Sequence, residues 1–133
     1  MKMTLRSARG SELLEFAFVS VGFLATLFMI LEGGRMIWEY NVIANSAKEG
    51  VRVAIVQNAS MSDSAVRSAV QNYVQAHSYG LPQVTVTTSW PNGRVAGRPA
   101  QVRVQKPFKP VAGLLPSRTI TLASTSQMIV GRR

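Results

Sequence analysis

With 133 residues the chain has room for one small domain, or for one membrane helix and a modest core. Fifteen Lys and Arg against six Asp and Glu give a net charge of +9, and three of the positive charges, Lys2, Arg6 and Arg9, fall within the first ten residues. The absence of cysteine excludes disulfides and thiolate metal sites.

The first element is an apolar run. Phe16 to Leu31 is sixteen positions without a charge, and extending back to Leu13 gives nineteen with Glu15 inside. That is close to the roughly 20 residues a helix needs to cross a bilayer core. Ten of the sixteen are Leu, Ile, Phe or Val. At mid-membrane these supply on the order of −3 to −6 kcal/mol in sum, which offsets roughly 3 kcal/mol for one carboxylate near the edge. Insertion therefore tolerates Glu15. A cleaved secretory signal fits poorly, because the first small-residue candidate, Ala44-Asn45-Ser46, lies well past the apolar core. Lys2, Arg6 and Arg9 precede the run, while Arg35 follows it among Glu32 and Glu39. The positive-inside bias then puts the N-terminus in the cytoplasm and residues beyond about Gly34 outside. Trp38 and Tyr40 fit an interfacial aromatic belt.

Helical periodicity continues past the run. Ile37, Tyr40, Ala44, Ala47, Val51 and Ile55 recur at three- and four-residue steps, with Glu39, Asn41, Asn45, Lys48, Glu49 and Arg52 between them as a polar face. If Gly33-Gly34 weakens the helix without ending it, one element runs from about Glu12 to Gln57. A Ser- and Asn-rich break, Gln57 to Ser64, precedes a second helix at about Ser64 to Ser78, capped by Ser62 or Asp63. Val66, Val70, Tyr73 and His77 mark one side of it, and Tyr79-Gly80-Leu81-Pro82 stops it.

The period then changes to two. Val84, Val86 and Thr88 alternate with polar neighbours, the turn Pro91 to Arg94 follows, and Val102 and Val104 alternate again. Lys106 to Pro116 reads as a proline-interrupted loop. A last strand runs through Ile120, Leu122, Met128 and Val130. Three such strands make a small antiparallel sheet that needs one face covered. The outer half of the long helix is the natural cover. The expected fold is α+β: residues 1–10 a basic leader, 11–34 a transmembrane segment, and 35–133 an extracytoplasmic domain.

Catalysis has little support. Glu12, Glu15, Glu32, Glu39 and Glu49 lie along one predicted helix and cannot converge on a pocket, Asp63 is the lone Asp, and His77 the lone histidine. With no phosphate loop, triad or metal-ligand spacing, the sequence calls for neither an enzyme nor a cofactor. Arg94, Arg98, Arg103, Lys106, Lys109, Arg118, Arg132 and Arg133 gather in the sheet half. Such charge can touch DNA, acidic polysaccharide or anionic headgroups. It lacks interleaved aromatics, so specific nucleic-acid binding is not expected.

The opening Arg9-Gly10-Ser11-Glu12-Leu13-Leu14-Glu15 resembles the type IV prepilin pattern: a short basic leader, Gly before the cut, Glu fifth in the mature chain, then an apolar helix. The wider sequence resembles the TadE-like minor pilins, or pseudopilins, of tight-adherence (Flp-type IVb) pilus systems. The likeness rests on that opening, the Ala47-Lys48-Glu49-Gly50-Val51-Arg52 element and the closing strand. Glu12 and the Gly33-Gly34 pair depart from the pattern. The resemblance implies processing by prepilin peptidase between Gly10 and Ser11, with Lys2, Arg6 and Arg9 as the leader charges. It also implies Glu15 as an assembly carboxylate, a family element at Glu49, Gly50 and Arg52, and partners among sister pilins and the inner-membrane assembly platform. The rival is an uncleaved single-span accessory protein of a pilus or secretion machine.

Overall fold

The computed structural model describes residues 4–56, 61–111 and 119–131, with side chains from Gly10 onward. The first helix, α1, spans Thr4–Val56 without interruption, roughly 80 Å at 1.5 Å per residue. It passes through both Gly33 and Gly34 and begins eight residues before Glu12, within the first ten residues. Its first half stands clear of the rest of the protein: side chains from Leu13 to Leu31 are largely exposed. The second half carries the domain.

α2 spans Asp63–Ala76. Ser62 is its cap, accepting the Ala65 N–H at 3.2 Å on Oγ, which satisfies one of the donors a helix start leaves open. Ser62→Ala should lower the stability of the domain by about 1 kcal/mol, read as a fall in the urea midpoint of the full chain in detergent. Val66, Val70 and Val74 form the fully buried face of α2. Tyr73 is only half-buried and His77 is exposed, so the inward face turns toward Val74 at its end.

Strands β1 (Thr85–Ser89), β2 (Pro99–Phe108) and β3 (Ile120–Ile129) form an antiparallel sheet in the order β1-β2-β3. Register is fixed by alternation. Val86 faces Val104, Thr88 faces Val102, Lys106 faces Leu122 and Phe108 faces Ile120. Ala100, Val102, Val104, Lys106 and Phe108 point inward, and Gln101, Arg103 and Gln105 outward. Gly93, at φ +79°, turns the chain after Trp90, with its N–H donated to the Trp90 carbonyl at 3.0 Å. One core joins Ile43, Ala47, Val51 and Ala54 of α1, the three α2 valines, and Val102, Val104, Phe108 and Leu122 of the sheet. The α+β architecture is as the sequence led us to expect, with the outer half of α1 covering the sheet.

Two local expectations fail. Lys106, Pro107 and Phe108 belong to β2 and not to a loop, and Phe108 is among the largest buried side chains. β1 pairs only as far as Gln105, so β2 is an edge on that side beyond it, where a proline is tolerated. Residues 112–116 of that loop lie outside the described residues, as do residues 57–60 of the Gln57 to Ser64 break.

The buried stripe of α1 is also rotated at its base. Ile37 and Tyr40 are exposed, whereas Glu39, Val42, Ile43 and Ser46 are buried. The reason is the inward Lys106 of β2, which requires an anion opposite it and turns Glu39 into the interface.

Candidate functional site

The predicted processing boundary sits on a continuous helix. Gly10, Ser11 and Glu15 are all exposed on α1, and a methyl group at Gly10 would meet nothing within 4 Å. Glu15 makes no ion pair among the described residues. Lys2 and the side chains of Arg6 and Arg9 lie outside the described residues. From Gly10 onward α1 is the one described helix long and apolar enough to cross a membrane, and its most apolar window has no part buried in the protein.

A second cluster, which the sequence did not reveal, lies one turn past the apolar run. Arg35 donates from Nη2 to Glu32 Oε1 and to the Lys109 carbonyl, the latter at 2.8 Å. Its Nη1 lies 3.5 Å from Glu39 Oε1, and its guanidinium stacks 4.4 Å from the centre of the Phe108 ring. Lys106 Nζ donates to Glu39 Oε2 at 2.5 Å, with both side chains more than nine-tenths buried. The Val111 N–H reaches Glu32 Oε1 at 3.3 Å. The cluster therefore straddles Gly33-Gly34 and binds the end of β2 to both sides of the glycine pair. A weak point in the helix is splinted by the sheet.

The Ala47 to Arg52 element divides into two faces. Ala47, Gly50 and Val51 are buried at the crossing with α2 and β2, while Lys48 and Arg52 are exposed. A Cβ at Gly50 would lie 2.8 Å from Val74 Cγ2 and 3.2 Å from Val102 Cγ1. The glycine is what lets three elements meet. Glu49 and Arg52 pair at 3.1 Å with both side chains well exposed, a contact worth roughly 0.2–0.5 kcal/mol.

The described basic residues of the sheet half do not form one patch. Lys106 is buried against Glu39. Arg94 is largely buried, with Nε 3.5 Å from Asp63 Oδ1, a hydrogen bond to the Met61 carbonyl and its guanidinium 5.9 Å from the Trp90 ring centre. Arg98, Arg103 and Lys109 are exposed but spread along β2 and its ends. Arg118, Arg132 and Arg133 lie outside the described residues. His77 stacks on Tyr73 at 4.1 Å and places Nδ1 2.9 Å from the Tyr73 carbonyl. That is a local contact within the end of α2.

No curated protein and no solved structure matches the chain. The family model described as TadE-like protein matches residues 10–52, which is α1 from Gly10 to the Glu49–Arg52 pair, with α2 and the sheet beyond it. Residues 10–52 are thus similar to the TadE-like family, the one that the opening and the Ala47 to Arg52 element resemble.

Proposed function

We propose that the chain is a minor pilin or pseudopilin of a tight-adherence type IVb pilus, cleaved after Gly10 by prepilin peptidase and taking part in filament assembly. Its role is structural and not catalytic. It sits in the bacterial inner membrane by a single span, residues 11–34, with the N-terminus cytoplasmic and residues 35–133 periplasmic. From there it meets sister pilins and the assembly platform.

The observation that carries this reading is Glu15, an exposed carboxylate at the start of an apolar helix, with no ion pair among the described residues. Burying it in lipid costs roughly 3 kcal/mol. Cleavage would free the Ser11 amine at the same depth in a neighbouring subunit. Opposite charges 4 Å apart attract by roughly 4 kcal/mol at an effective dielectric of 20, so the pair repays the insertion cost and sets the stagger between stacked helices.

The uncleaved-anchor reading is favoured by one feature: α1 runs helically through Gly10 and Ser11. A protease must unwind that turn to reach the peptide bond. Glycine eases it, since Gly is about 1 kcal/mol less favourable than Ala in a helix interior.

Mass spectrometry of the chain from its native membrane decides between the two. A mature N-terminus at Ser11, N-methylated by family resemblance, supports the pilin; an intact Met1 overturns it. Glu15→Leu should still fractionate with membranes yet be lost from sheared filaments. Normal incorporation of that variant would remove the assembly role of Glu15.

A further inference from the structure

The sheet descends along α1 toward the apolar run. Val102 lies beside Gly50, Lys106 reaches Glu39, and Phe108 stacks under Arg35. The base of the sheet is therefore level with residues 32–36, immediately past Leu31. There α1 and the sheet diverge and leave a groove of about 260 Å³, lined by Met29, Glu32, Gly33, Met36, Phe108 and Ile120. Its walls are apolar apart from Glu32, whose carboxylate is occupied by Arg35 and the Val111 N–H. Met29 belongs to the exposed apolar run and lies about 10 Å further down the helix than Met36. The groove is thus continuous with the bare surface of the run.

We propose that this groove and its rim are a lipid-contact site, in which hydrocarbon of the membrane leaflet facing the domain enters beneath the sheet. The proposal rests on the membrane reading of α1 given above. Ligand pockets for folded small molecules run about 300–1,000 Å³; this one is smaller and takes a short length of acyl chain. The rim matches a lipid surface: Val111 is 80% exposed, Ile120 43%, and Lys109 beside them presents a cation to headgroup phosphates. Trp38, about 200° round the helix from Met36, is half exposed on the opposite side at the same level. The domain then touches the bilayer on two sides of α1 and stands upright on it.

Because the chain has no cysteine, single-cysteine variants of the full protein in phospholipid nanodiscs give clean nitroxide labelling. Labels at Val111→Cys and Ile120→Cys would be compared with Val21→Cys in the apolar run and Thr87→Cys on the outer sheet face, after near-UV circular dichroism confirms native packing. Collision with dissolved oxygen reports lipid, and collision with a water-soluble nickel chelate reports water. At both rim positions we expect nickel collision several-fold below that at Thr87, and oxygen collision resembling Val21. Rim labels that read as aqueous while Val21 reads as lipid overturn the lipid site and leave the span intact. Rim labels screened from both reagents mean a protein segment or second copy covers the groove, which also overturns it. An aqueous reading at Val21 removes the membrane reading itself.

Discussion

Gly50→Leu is expected to destabilise the domain by about 3 kcal/mol, at the upper end of the range for overpacking a filled core. A bare Cβ at this position already lies 2.8 Å from Val74 Cγ2 and 3.2 Å from Val102 Cγ1. Both valines are fully buried and β-branched, so neither can swing aside. Either α2 moves off α1 or β2 does. Gly50→Ala sets two effects against each other, a helix-propensity gain of up to about 1 kcal/mol and the displacement of Val74. Combining it with Val74→Ala separates them: the double variant should be more stable than the sum of the two single losses, because truncating Val74 makes room for the new methyl. Urea unfolding of the full chain in detergent, followed by near-UV circular dichroism, measures all three. Strict additivity would show that the contact at Gly50 is slack.

This glycine also shows how far the sequence could be read. Within Ala47 to Arg52 the polar residues Lys48, Glu49 and Arg52 announced the outer face of a helix, and Ala47 and Val51 the inner one. Gly50 between them gave no hint of the close crossing, because a missing side chain gives no sign of what fills the space. The strands were legible from the alternation of Val84, Val86, Val102 and Val104, where side-chain period and burial coincide.

The base of the domain was not legible, and the reason is charge. Ile37 and Tyr40 drew the apolar stripe one way, while the true interface at that level is Met36, Glu39 and Ile43. A signal was present. Lys106 continues the inward series of Val102 and Val104, and a lysine in phase with buried valines demands an anion across the interface. Assigning Lys106 to the proline-interrupted loop concealed it. The proposed processing residues are a different case, since the roles proposed for Gly10, Ser11 and Glu15 lie between molecules and one isolated chain gives them no geometry to read.

The buried pair yields the second large effect, and its asymmetry is the more telling part. Removing one partner of a buried ion pair costs about 3–5 kcal/mol, since it leaves an uncompensated charge. Here the two removals are not equivalent. Lys106→Met leaves Glu39 with Arg35 Nη1 at 3.5 Å, so the carboxylate keeps a cation. Glu39→Leu leaves the Lys106 ammonium, whose side chain is 8% exposed, without its carboxylate, and deprives Arg35 of one contact as well. Glu39→Leu should therefore fall near the upper end of that range and Lys106→Met near the lower. The double variant should recover most of the loss, because two apolar side chains of similar volume remove the desolvation penalty together with the attraction. Unfolding midpoints of the four proteins close the cycle. Equal losses from the two single variants would mean that Arg35 contributes nothing to Glu39. The splint across Gly33-Gly34 would then consist of the Lys106–Glu39 pair and the Glu32 and Lys109 contacts.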